Sequence, residues 1–339
     1  MAQRVRLSSL LTSISLTGLD KHPKLIATFV DEIFGNWNHG NSDGVKIHEI
    51  DRSARPICDI VGTGGDGFNT FNVSTTAAIV AAGAGLKVCK HGNRASSSAS
   101  GSADLLITLG IPLDRLTPHQ VSSLVKDPET DFSFLFSQTF YPIFKKLGPI
   151  RKSLGFPTIF NRLGPLLNPI RPDRMIIGIS DPKLGPTYCE VLKVLGLNHS
   201  WVVCGDKGLD EISTSGPTSL WKLNEKDGTV EHLELDPVKS FGLSYHPMER
   251  LITKDPKDSL KTLDLLLDHS GDQNFCGDIN QIAKLDFVLM NASALLVLGG
   301  SANDYKQGVE LARESLRSGR AREALEKFKV KSLTVVSNN

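Results

Sequence analysis

The chain has 339 residues, 40% of them hydrophobic and 22% charged, with 38 Lys and Arg against 37 Asp and Glu. That length and mix suit about two ordinary globular domains with a sizeable core. A net charge of +1 excludes a global field for nucleic acid or an anionic membrane, so an anionic ligand must be held by a local site.

The first 36 residues predict two helices split near Gly18 to His22. Arg4, Arg6 and several serines, with no acid before Asp20, also fit a mitochondrial transit peptide. Leu7, Leu10, Leu11 and Ile14 fall on one helix face, which favours an ordinary amphipathic helix in a cytoplasmic protein. Pro23 starts the second helix, whose buried face is Leu25, Ile26, Phe29, Val30 and Ile33. Residues 36–44 are polar and mark a boundary. From Pro56 onward short apolar strands alternate with helices, the pattern of an α/β domain with a mostly parallel sheet. The expected strands are 57–61, 86–89, 134–136, 175–179, 200–204 and 211–214. The expected helices include 76–85, 102–109, 118–125, 143–154, 184–195, 257–267, 286–298 and 304–318. Residues 220–235 read as a hairpin around Lys226-Asp227-Gly228. No run approaches the roughly 18 apolar residues of a membrane span. The five cysteines (Cys58, Cys89, Cys189, Cys204, Cys276) lack a CxxC pair and read as reduced thiols.

The chemistry concentrates between Asp59 and Asp104. A strand breaks into Gly62-Thr63-Gly64-Gly65-Asp66-Gly67, and Asn72-Val73-Ser74-Thr75 opens a helix of small residues. The next strand ends on Lys90-His91-Gly92-Asn93-Arg94. The glycines satisfy G-x-G-x-x-G, but a dinucleotide site needs an acid at the end of the second strand. Lys90-His91 stands there instead, and no Gly-Lys-Ser/Thr follows the loop. What remains is an anion cradle: backbone N–H groups, the Ser74 and Thr75 hydroxyls at a helix start, and the Lys90 charge. Far along the chain, Asp210-Glu211 follows a strand and a glycine turn. Two carboxylates beside a phosphate loop suit Mg²⁺. Arg151 alone reads as a surface arginine, and residues 160–169 (FNRLGPLLNP) as a pocket wall.

These motifs, with GSAD at 101–104, GLDEIS at 208–213 and Asn291-Ala292, resemble in order the anthranilate phosphoribosyltransferases of tryptophan biosynthesis. The resemblance covers nearly the whole chain. It implies a small helical domain (1–50, with helices around 115–155 docking on it), an α/β domain (51–335), and an active site in the cleft between them. It implies transfer of phosphoribosyl from phosphoribosyl pyrophosphate (PRPP) to the anthranilate amine, with Mg²⁺ and without nucleic acid or membrane. Matched by position, PRPP would lie on Gly62, Gly65, Asp66, Thr70, Asn72, Val73, Ser74, Thr75, Lys90, His91, Gly92, Asn93, Arg94, Ala95, Ser96, Ser97, Ser98 and Ser102. Ser74, Asp210 and Glu211 would hold the metal. Gly62, Asn93, Tyr141 and Arg151 would contact anthranilate, and Lys90, Asn93 and Arg151 would serve catalysis. Three departures stand out: Tyr141 where the family commonly has His, Ile107 where it has an acid, and no Gly-Gly near Thr253. The family's first helix has no counterpart before residue 5, which bears on the homodimer the resemblance implies. The competing readings are a pyrimidine-nucleoside phosphorylase on the same fold, a nucleic-acid-binding relative, and an NAD(P) oxidoreductase, the last disfavoured by Lys90-His91.

Overall fold

A computed structural model describes residues 2–40, 52, 55–95, 101–224, 226–253, 256–268 and 278–338. Seven strands form one sheet: β1 Ile57–Gly62, β2 Lys87–Gly92, β3 Phe132–Phe136, β4 Arg174–Gly178, β5 Ser200–Cys204, β6 Thr218–Leu223 and β7 Val230–Leu235. Their order is β3-β2-β1-β4-β5-β6-β7. The first five are parallel, and β6 and β7 close the edge as an antiparallel hairpin. The parallel strands are nearly all buried, which is why they read as continuous apolar runs.

The helices are α1 Ala2–Leu16, α2 Pro23–Gly40, α3 Val73–Gly83, α4 Ser102–Thr108, α5 Pro118–Lys126, α6 Ser137–Phe140 and α7 Ile143–Leu154. There follow α8 Phe160–Leu163, α9 Gly185–Val194, α10 Pro237–Phe241, α11 Pro256–Leu267, α12 Ile279–Gly299, α13 Tyr305–Arg317 and α14 Arg320–Ser337. α1 packs on α7, and α2 on α8 and α9. Of the helices expected to dock on the N-terminal pair, α5 instead packs on α14 and β3. Arg162, in α8, donates from Nε and Nη2 to Asp20 Oδ2 at 3.1 and 2.7 Å, tying the N-terminal helices to α8. Arg171 lies over the Phe34 ring at 4.5 Å and pairs with Asp31.

Three expectations are corrected. Residues 211–214 are not a strand. Lys207 and Gly208 have positive φ there, and the Ile212 backbone pairs with a side chain, Asn291, instead of a neighbouring strand. The strand begins at Thr218. α12 starts at Ile279, seven residues before the expected Asp286, because Asp278 caps it through the Asn280 and Gln281 N–H groups. α12 is also long and apolar enough to cross a membrane, contrary to the expectation for this chain, but 89% of its apolar window is buried. It is the central helix, packed between α3 and α13.

α3 shows why its sequence is small. It is buried on all sides, against α12, α13 and α14. A Cβ at Gly83 would lie 2.4 Å from Ala321 N and 2.4 Å from Ser315 Oγ. Backbone cannot yield as a side-chain tip can. Gly83→Ala is expected to cost about 1–3 kcal/mol by overpacking, seen as a lower denaturation midpoint at unchanged m-value.

Candidate active site

The strand order reverses between β1 and β4, and both strands end in glycine there. In parallel sheets the crevice outside the carboxyl ends at such a switch point is where ligands bind. Here the segment carrying Asp210 crosses that crevice in contact with the strand ends. A Cβ at Gly178 would fall 1.7 Å from Asp210 O, and one at Gly62 would fall 2.3 Å from Asp210 Oδ2. Gly64 N donates to Asp210 Oδ2 at 2.6 Å, so the glycine loop and the acidic loop are joined before any ligand arrives. Asn291 fixes the residue after Glu211: its Oδ1 accepts from Ile212 N at 3.1 Å and its Nδ2 donates to Ile212 O at 3.0 Å.

The crevice opens into a cleft of about 330 Å³ lined by residues 61–68, 70–74, 90–95, Gly101, Ser102, Ser137, Arg151, Phe160, Asn161, Gly164, Pro165, Asp210 and Glu211. Ser74, in the first turn of α3, hydrogen-bonds Glu211. A second lobe of about 230 Å³ adjoins it and shares His91, Asn93, Ser137, Arg151, Phe160 and Gly164. Gln138, Phe144, Gly148 and Leu167 complete that lobe, with Arg151 over the Phe160 ring at 5.8 Å.

Electrostatics separate the lobes. Burial, and then repulsion from Asp66, push Asp210 up to about 7. Burial and the Asp210 charge push Glu211 well above the usual carboxylate range. Beneath them Lys90 is 2% exposed, and its Nζ donates to Ile60 O at 2.5 Å. Burial pulls its pKa down, and Asp59, Glu211 and Asp210 oppose that pull. Asp59 is wholly buried and raised to about 6 by desolvation, with Lys90 and Asn168 working the other way. Asn168 Nδ2 donates to Asp59 Oδ2 and to Cys89 O, both at 2.8 Å. His91, pulled down to about 3 by burial and by Lys90, is a neutral ring.

The glycosyl transferase family a/b domain matches residues 54–322. The anthranilate phosphoribosyltransferase of Schizosaccharomyces pombe is 44% identical over 327 residues, 96% of this chain and 87% of that protein. The chain belongs to the anthranilate phosphoribosyltransferase family. The Saccharomyces cerevisiae enzyme in complex with PRPP and Mg superposes with a TM-score of 0.83 at 35% identity, covering 98% of this chain and 86% of that one. The same enzyme in complex with 4-fluoroanthranilate gives 0.81 at 34% identity, covering 98% and 86%.

The family motifs converge as their order predicts. Gly62, Gly65, Asp66, Thr70, Asn72, Val73, Ser74, Lys90, His91, Gly92, Asn93, Arg94, Ala95, Ser102, Arg151, Asp210 and Glu211 all line the cleft. Ser96, Ser97 and Ser98 lie outside the described residues. Two of the expected residues fall outside the cleft lining. Thr75 is fully buried and is absent from the cleft lining, because α3 already begins at Val73 and turns this side chain into the core. Tyr141, where the family commonly has His, is 2% exposed and lines neither lobe. It packs edge-on to His91 and Phe34, and its hydroxyl has no hydrogen-bond partner. A tyrosine there fills the space behind the acceptor lobe. Other participants went unread. Asp59 was visible as an acid inside an apolar strand, and Asn168 lay within a quoted motif without a role. Asp104 accepts from Arg94 Nη1, Ala95 N and Gly101 N, a mooring that its place in GSAD did not reveal. Ser137 carried no signal, and Asn161 lay in the segment read as a pocket wall.

The residues suit the family's metal. The donors are oxygens, and among the described residues no group of three or more His, Cys, Asp or Glu forms a complete cage. Mg²⁺ takes one or two carboxylates and leaves its other positions to water and phosphate. Asp210 and Glu211 fit that: they repel each other out of water, and a divalent cation would relieve the repulsion.

This sets a pH dependence. Asp210 has a folded pKa of about 7 against an ordinary 3.8. Between those values the unfolded chain loses the proton while the folded one keeps it. The group's contribution to stability is therefore full below about 4 and falls as pH rises to about 7. Asp210→Asn is expected to remove this decline, so that the variant gains on the parent from pH 4 to 7 in metal-free melts. Mg²⁺ should raise the parent's melting temperature above pH 7 more than the variant's.

Proposed function

We infer that the protein transfers the 5-phosphoribosyl group of PRPP to the amine of anthranilate, releasing pyrophosphate, as a step of tryptophan biosynthesis. The observation that carries this is the two-lobed cleft: a glycine and hydroxyl basket beside paired carboxylates, joined through His91 and Asn93 to an apolar lobe with one arginine. A pyrimidine-nucleoside phosphorylase shares the fold type but has no need of a carboxylate-binding arginine in an aromatic lobe.

In this reading the glycine loop, residues 72–74, residues 90–95 and Ser102 hold PRPP. Ser74, Asp210 and Glu211 would hold Mg²⁺, which when bound neutralises charge on the pyrophosphate. Lys90 lies under the same region, fixed by Asp59 and the Ile60 carbonyl, and adds positive potential that needs no reorganisation as the anomeric C–O bond breaks. The aromatic amine is neutral at pH 7 and attacks directly, so no strong base is needed. The nitrogen sheds its proton once the N–C bond has formed. Arg151 pairs with the acceptor carboxylate and Phe160 supports its ring, holding the amine near the anomeric carbon. Tyr141 stays behind the wall.

The reading extends to a small helical unit over residues 1–50 beside the α/β unit over 51–335, and to a homodimer. Val5, Leu10 and Leu16 of α1 and Ile143 of α7 are exposed apolar side chains on helices that pack together, which supports a partner there. Cys58, Cys89, Cys189 and Cys204 are buried and unpaired, as in a reducing compartment such as the cytoplasm.

Mixed with PRPP, Mg²⁺ and anthranilate, the protein is expected to quench anthranilate fluorescence and release pyrophosphate in equal amounts. Folded protein that does neither overturns the reading. Arg151→Ala should raise the anthranilate KM about 10- to 100-fold, the worth of a charge-assisted pair, and leave the PRPP KM within about twofold. Equal effects on both would assign Arg151 a structural role.

A further inference from the structure

The opposite edge of the sheet carries another cavity, of about 590 Å³, which the phosphoribosyl transfer does not use. It forms where β4 and β5 begin, at Arg174 and Ser200, and where β6 ends, at Leu223. The cleft lies at the other ends of the parallel strands, so the two cavities are separated by the length of the sheet. Its volume falls within the range of small-molecule sites.

Two observations indicate what it takes. Arg174, Lys222 and Lys226 are cationic and only Glu231 is acidic, so the lining is positive in a chain whose total charge is +1. Glu231 lies 3.4 Å from Lys222 and offsets only part of that charge. One wall is apolar, made by Trp201, Leu223, Val297 and Leu298. Trp201 is braced edge-on by Tyr305 at 6.1 Å, and Arg174 is anchored by its 2.7 Å bond to Leu298 O. Cations beside a braced indole match an anion attached to a flat organic body.

We propose that this cavity binds a small phosphate monoester. Its phosphate sits among Arg174, Lys222 and Lys226, and its organic part lies along Trp201. Inorganic phosphate offers the same head group without the body, and the test separates the two sources.

Calorimetric titration with phenyl phosphate and with inorganic phosphate is made on the intact protein and on Lys222→Glu/Lys226→Glu. Neither lysine belongs to the catalytic cleft, so phosphoribosyl transfer by the variant should be unchanged and reports that it is folded. The expected result is a binding component for phenyl phosphate that weakens tenfold or more in the variant and weakens with added salt. Phenyl phosphate binding more tightly than inorganic phosphate supports the monoester assignment. Inorganic phosphate binding as tightly or more tightly overturns the organic half. Absence of binding up to millimolar ligand, or binding that the lysine changes leave untouched, overturns the site.

Discussion

Asp210 and Glu211 are two carboxylates withdrawn from water at the point where the sheet reverses its order, and most of the surrounding structure answers to that. Like charges so placed are costly unless something offsets them. The protein supplies part of the compensation as a buried ammonium, Lys90, and as N–H and hydroxyl donors from Gly64 and Ser74. It leaves the rest to a cation and a phosphate-bearing ligand. The Asp59–Asn168 pair exists one layer further down for the same reason: an ammonium out of water needs its own counter-charge and a fixed perch. The site is thus a stack of alternating charge, acid over ammonium over acid, built on two adjacent parallel strands.

Geometry lets the stack close. The acidic loop can lie on the strand ends only because Gly62 and Gly178 have no side chains, and it stays there because Asn291 pairs with the Ile212 backbone as a neighbouring strand would. The central helix α12 therefore has two duties. It fills the core beneath the sheet and lends one amide to the active-site loop.

Much of this was legible in the sequence. The strand–loop–helix–strand unit from Asp59 to Asp104 and the acid pair at 210–211 carried their chemistry in residue type and spacing. Lys90 in place of an acid was enough to turn a nucleotide-diol reading into a phosphate one. The misreadings share a cause. Residues 211–214 looked like a strand because Ile212 is apolar and β-branched, yet their backbone partner is a side chain some eighty positions away. Thr75 looked like a phosphate donor because it follows Ser74 at a helix start, but a helix turns consecutive side chains by about 100°, so only one of the two faces the cleft. Tyr141 stood where a contact was expected, and burial against Phe34 and His91 decided otherwise. Contacts of this kind depend on which face a side chain takes, and one-dimensional spacing does not contain it.

The Arg162–Asp20 ion pair connects regions that chemistry would treat as unrelated. Both side chains are largely out of water, at 15% and 6% exposure, so the pair is a stiff joint instead of a surface decoration. Arg162 follows Phe160, which lines both lobes, and Asn161, which lines the larger one. That wall is hinged to the amino-terminal helices, and its position is set by how they pack. The width of the aromatic slot is therefore a property of the N-terminal bundle as much as of the residues that touch the acceptor. A substitution at Asp20, remote from the cleft in sequence, would therefore reach the wall that carries Phe160.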